Sequence, residues 1–227
     1  MYPSTQSTID LTKGGQASRN KVLRNTYWLL ALSMIPTVAG AFLGVSMGVA
    51  LFSGMLGFVI FMAVAFGFMW AIEKNKDSGL GVALLLGFTF FMGLMLAPLL
   101  THTLKYSNSG SLIMTAFGGT AIVFAVMASI ATTTKRDFSG MGSWLMAGVV
   151  VLLLAVVANI FLQMSVLSIV ISILAIGIFS AFILYDVQRI VNGGETNYVT
   201  ATLSIYLNVF NIFSSLLRLL GIVGGDD

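Results

Sequence analysis

Seven apolar stretches follow one another along this chain, each close to the 20 or so residues that a helix needs to cross the hydrocarbon core of a bilayer. They cover residues 26–48, 51–72, 80–100, 112–132, 142–162, 166–190 and 199–222. Short polar breaks at 73–79, 101–111, 132–140 and 192–198 separate most of them, and two joins are tight, near Ala50 and over 163–165. In lipid, a spanning segment must satisfy its own backbone polar groups, which leaves helices and closed barrels. Runs of this length are helical. The pattern predicts an all-α, polytopic membrane protein of seven transmembrane helices. Composition agrees: only 8% of residues are charged, whereas a soluble domain carries roughly a quarter. The lipid bilayer is the solvent this surface requires.

Basic residues orient the spans. With the N-terminus inside, the cytoplasmic segments hold Lys13, Arg19, Lys21, Arg24, Lys74, Lys76, Lys135, Arg136 and Arg189, against Lys105 and Arg218 on the other side. That bias predicts a cytoplasmic N-terminus and a C-terminus outside. A six-span arrangement with a re-entrant last segment would return the C-terminus to the cytoplasm. Residues 1–25 are polar and lack the apolar run of a cleaved signal peptide, so they read as a disordered cytoplasmic tail. The transmembrane domain occupies 26–223, and 224–227 form a short outer tail. The net charge of +3 is dispersed in ones and twos, which argues against a nucleic-acid partner. With no cysteine, neither a disulfide nor a thiolate metal site can form.

Small residues allow close helix contact in lipid. Gly40, Gly44 and Gly48 form a four-residue ridge, and Ala63 with Gly67 and Ala147 with Ala155 are spaced to share faces. These suit packing within the bundle or dimerisation. Pro36 and Pro98 lie inside spans and predict kinks.

Polar groups within spans carry more information, because each is costly in lipid. Ser204, Asn208, Asn211, Ser215 and Arg218 recur at steps of 4, 3, 4 and 3, within an arc of roughly 80° at about 100° per residue. The stripe should face the bundle or water. Across the turn at Gly193 and Gly194, Asp186 can reach it near Ser204 or Asn208. Alternatively, Asp186 sits at the interface and pairs with Arg189. Arg218 can snorkel to the outer surface, and Asn159 and Gln163 suit capping or interhelical hydrogen bonds.

No catalytic constellation is visible. His102 is the only histidine, placed in an outer loop, and no Walker A, HExxH or GxSxG motif occurs. Tyr185-Asp186 matches half of the intramembrane aspartyl protease signature, but the GxGD half is missing and one carboxylate makes no dyad. The chain reads as no enzyme, with no cofactor and no metal site.

The runs Ile183-Leu-Tyr-Asp-Val-Gln-Arg-Ile190, Ser204-Ile-Tyr-Leu-Asn-Val-Phe-Asn-Ile-Phe213 and Leu216-Leu-Arg-Leu-Leu-Gly221 resemble the Bax inhibitor-1 (transmembrane Bax inhibitor motif) family. Lys21-Val-Leu-Arg-Asn-Thr-Tyr27, Gly118-Gly-Thr-Ala121, Leu145-Met-Ala-Gly148, Val157-Ala-Asn-Ile-Phe-Leu-Gln163 and Gly193-Gly-Glu-Thr-Asn-Tyr198 resemble its bacterial YccA-like branch. The resemblance implies a central helix wrapped by the others. It also implies association with FtsH, a membrane-anchored AAA protease, whose proteolysis such proteins modulate. Elsewhere in the family it implies a pH-gated calcium leak, in which two aspartates in the last two spans share a proton. Asp186 matches the first of these, whereas Asn208 stands where the second would be, and residues 51–72 carry no basic partner. An Asp–Asn pair lacks the like-charge repulsion that makes two carboxylates share a proton. It also has half the negative charge of a hard-cation site. The reading is an inner-membrane modulator of the protease. The alternative is a calcium, other cation or proton leak lined by Asp186 and the polar stripe of the last span, with Arg189 counted in the same intramembrane polar network.

Overall fold

A computed structural model of the chain describes residues 5–48 and 54–225. Among them are seven α-helices: α1 (Thr5–Ser46), α2 (Gly54–Asn75), α3 (Gly79–Thr103), α4 (Ser109–Thr133), α5 (Gly142–Leu162), α6 (Ser165–Val191) and α7 (Tyr198–Gly224). A 3-10 turn at Ser139–Met141 precedes α5, and no strand occurs among the described residues. All seven helices are long and apolar enough to cross a membrane. Six spans begin and end within a few residues of the apolar runs. The join expected at Ala50 lies outside the described residues.

The first span differs. The tail expected to be disordered over residues 1–25 is helical from Thr5 onward, continuous with the span. Nucleation is the costly step of helix formation. Once the apolar segment is helical, each added residue costs only propagation, and the Gly14-Gly15 pair weakens the helix without blocking it.

The tight join of α5 and α6 turns on Gln163, whose φ of 50° is left-handed. Asn159 supports it: its Oδ1 accepts from the Met164 N–H at 3.0 Å, and its Nδ2 donates to Ser168 Oγ at 2.7 Å. The capping expected of these two residues is thus divided between a side chain and a backbone conformation.

Helix α7 touches α1, α2, α3, α4 and α6 and is the central helix of the bundle. The most extensive pairing is between α1 and α3, which skips α2. It depends on glycine. A Cβ on Gly93 would lie 2.1 Å from the Thr37 carbonyl oxygen, and one on Gly40 would lie 2.1 Å from that of Phe90. Only hydrogen fits between backbones this close, which increases dispersion contacts where lipid provides no hydrophobic drive. Gly40 and Gly44 therefore serve packing within the chain. Gly48, at φ 60°, faces open space just past the end of α1. The other proposed small-residue pairs do not pack as pairs. Ala63, Gly67 and Ala147 are exposed, and only Ala155 packs, against the cluster of Leu152, Ile171 and Ala175. The face of Ala63 and Gly67 is turned outward, and Ala147 and Ala155 are divided between the surface and the packed side of α5.

The loops fall into two sets. On one side, the Arg19 guanidinium donates to the Val191 carbonyl oxygen at 3.4 Å. There too, Asn197 Nδ2 reaches Asp77 Oδ1 at 2.8 Å, and Gln188 Nε2 donates to the Arg136 carbonyl oxygen at 2.5 Å. In the same loop, the Ser139 backbone N–H holds the Asp137 carboxyl below its ordinary range. On the other side, Asn108 Nδ2 donates to the Gly224 carbonyl oxygen at 2.6 Å. The breaks rich in Lys and Arg thus meet one another at one end of the bundle, as alternating spans require.

Candidate functional site

The last two helices are held in register by their connection. Helix α6 ends where the Gly193 and Gly194 N–H groups return to the carbonyl oxygens of Ile190 and Arg189 at 3.0 and 2.8 Å. Gly193 adopts φ 79°, a left-handed conformation suited to glycine. Helix α7 begins at Asn197, whose Oδ1 accepts from Val199 and Thr200 N–H at 2.9 and 3.2 Å. Asparagine is a favoured N-cap for this reason. The same side chain reaches the α2–α3 turn, so the start of α7 is fixed against α2 as well as α6.

This register brings Asp186 opposite Asn208. The Asn208 Nδ2 donates to Asp186 Oδ2 at 2.7 Å, and the residues are 5% and 9% exposed. Of the two partners the sequence allowed, Ser204 and Asn208, the second makes the bond. The rival pairing with Arg189 does not form. Arg189 makes its ion pair with Glu195, at 3.6 Å, and lies over the Tyr185 ring at 5.8 Å. The Glu195 loop, folded back by the glycine turn, supplies the cation's ion-pair partner.

A cavity of about 930 Å³ opens beside this pair, between α2, α3, α5, α6 and α7. Asp186, Arg189, Ser204, Asn208, Asn211, Ser215 and Arg218 all line it, so the periodic stripe is one wall of a real space. They do not form one hydrogen-bonded chain. Asn211 Nδ2 donates to the Leu207 carbonyl oxygen of its own helix at 2.7 Å. Arg218 makes no hydrogen bond or ion pair with any described residue and is exposed at the far end of the cavity. Only Asn208 meets Asp186. The rest of the wall is apolar, with Phe58, Phe61, Met62, Val149 and Leu153 among its residues.

Several contributors are not evident from the sequence pattern. Gln188, two residues from Asp186, is buried and clamps the α4–α5 loop, its Oε1 accepting from the Phe138 N–H at 2.7 Å. Tyr206 is fully buried, its hydroxyl 2.9 Å from Thr37 Oγ1 on α1. A tyrosine at mid-span is the one available signal, since a phenolic hydroxyl there requires a partner. His102, expected in a loop, lies in the last turn of α3 and lines a second pocket of about 280 Å³ with Thr103, Ser168 and Arg218. Among the described residues no three His, Cys, Asp or Glu side chains are grouped to hold a metal ion.

Residues 19–225 match the protein family described as inhibitor of apoptosis-promoting Bax1. The chain belongs to the Bax inhibitor-1 family. Among other members of this family, an Escherichia coli K12 protein named modulator of FtsH protease YccA is 40% identical over 92% of this chain and 93% of its own length. A Neisseria meningitidis serogroup B protein without an assigned function is 38% identical over 92% and 94%. An uncharacterised membrane protein of Vibrio cholerae is 36% identical over 92% of both chains. The family match therefore runs from Arg19, within α1, through the hairpin of α6 and α7.

Proposed function

We propose that this protein is a bacterial inner-membrane partner of the AAA protease FtsH, with its N-terminus cytoplasmic, and that it modulates proteolysis of membrane proteins without catalysis of its own. The observation that carries the reading is its 40% identity, across nearly the full length of both chains, to the protein named as a modulator of that protease. The site's chemistry favours it over a proton-gated channel. Asp186 is bonded to an amide rather than to a second carboxylate, so no proton-sharing pair exists to couple pH to opening. The basic end of the bundle, with Arg19, Lys76 and Arg136, supports the cytoplasmic orientation.

The polar start of α1 is the segment that a protease pulling from the cytoplasm would grip. Deleting residues 1–20 should lengthen the half-life of the protein in FtsH-containing membranes while leaving it inserted and able to co-purify with the protease. Unchanged turnover would reject degradation begun at this end, and loss of co-purification by the intact chain would reject the association.

A second reading, a calcium or proton leak, is favoured by one feature. Asp186 and the α7 stripe line the same cavity, so a polar surface runs for about 21 Å of helix between Ser204 and Arg218.

A further inference from the structure

The large cavity combines three properties that together specify a ligand. The first is an opening to lipid. Its walls on α2 and α5 meet over only a short stretch, and Met146 and Leu153 on α5 both line the cavity and are exposed on the surface of the bundle. A molecule can enter sideways, from the membrane.

The second is a cation with no ion-pair partner among the described residues. Arg218 points into the cavity without an ion pair or hydrogen bond to any described residue. Among the described residues, the only acid lining the same space is Asp186. It is bonded to Asn208, ten residues and about 15 Å of helix away from Arg218. Among the described residues, no carboxylate of the cavity can serve the guanidinium. A guanidinium without a carboxylate partner is free to take another anion, and its planar fork matches a phosphate. His102 and Thr103, in the adjoining pocket that Arg218 also lines, add polar groups on the same side.

The third is depth. Arg218 lies six residues, about 9 Å, from the end of α7 at Gly224, so its long side chain reaches the level where lipid headgroups begin. Below it runs the apolar wall of Phe58, Phe61, Met62, Val149 and Leu153. An anion at headgroup depth with a hydrocarbon chain beneath it is a phospholipid.

We propose that the groove between α2, α5 and α7 holds one phospholipid from the leaflet at the Gly224 end of α7, its phosphate on Arg218 and an acyl chain along the apolar wall. A transmembrane helix of another protein is the competing occupant. It would bring no anion to this depth unless it carried a carboxylate in the membrane, which is rare.

The test uses the full chain, purified in detergent, stripped of lipid and titrated with dioleoylphosphatidylglycerol, with adducts read by native mass spectrometry. A one-to-one adduct is expected. Arg218→Ala should weaken it about tenfold, the scale of one charge-assisted interaction, while Arg218→Lys retains most of it. Val149→Trp, which fills the groove and leaves Arg218 in place, should weaken it comparably. Dioleoylglycerol, lacking the phosphate, should bind no better to the native chain than the phospholipid binds to Arg218→Ala. Millimolar inorganic phosphate should leave the adduct in place. Adducts of wild-type strength in both Arg218→Ala and Val149→Trp would overturn the proposal. So would displacement by inorganic phosphate, which indicates an ion site alone, or a photo-crosslinker at position 149 that labels a polypeptide in membranes.

Discussion

The bond from Asn208 to Asp186 is an amide donating to a carboxylate where water is scarce, and its two ends are unequal. Asn208→Leu removes the donor and strands a buried acceptor, a loss of about 1–3 kcal/mol. Asp186→Asn leaves two amides that can still bond and should cost less than about 1 kcal/mol. Thermal unfolding in detergent should therefore show a clear drop in Tm for the first variant and little change for the second. Equal drops would mean that the carboxylate, rather than the satisfied bond, stabilises the hairpin. The pairing was legible because two facts coincide in the sequence: a short glycine turn between antiparallel helices and a polar stripe on one of them. The preference of Arg189 for Glu195 was not, because it depends on how the glycine turn folds its loop back. Nor was the role of Gln188, whose partners are backbone groups 50 and 52 residues earlier.

Helix pairing shows the same division between local and distant information. Six of the spans could be placed from hydropathy alone, since length and apolarity are local properties. Which helix lies beside which could not. The dominant contact joins α1 to α3, and the glycines that permit it are 53 residues apart in the chain, Gly40 and Gly93. Spacing marks small residues without saying which face the bundle, and Ala63 with Gly67 turned out to face lipid. Substitution separates the cases. Gly93→Leu places carbon against the Thr37 carbonyl oxygen, where backbone cannot yield, and should cost about 3 kcal/mol or more. Gly67→Ala meets open space and should stay within about 0.5 kcal/mol. The yield of monodisperse protein and its Tm check both, and a tolerated Gly93→Leu would show that α1 and α3 can separate without loss.

For the whole molecule, the question is whether the cavity wall conducts. A protein whose function lies in partnership should leave sealed liposomes as tight to calcium as empty ones at pH 6 and at pH 8. A pH-dependent flux altered by Asp186→Asn would establish the leak instead. Topology belongs to this scale too. The alternation of charged and uncharged breaks was readable as sidedness, and the loop-to-loop hydrogen bonds gather those breaks at one end. The cavity was invisible beforehand, since it results from how little α2 and α5 touch. The continuity of α1 has a mechanical consequence. Among the described residues, the first long-range hydrogen bond that a force drawing on its N-terminal end meets is the exposed one from Arg19 to the Val191 carbonyl oxygen. Beyond that, the load runs parallel to the interface with α3, so the interlocked glycine backbones must slide past one another all at once. Loaded in shear, that interface resists extraction far more than one peeled open contact by contact, and the strongest grip of the bundle lies directly behind its most accessible handle.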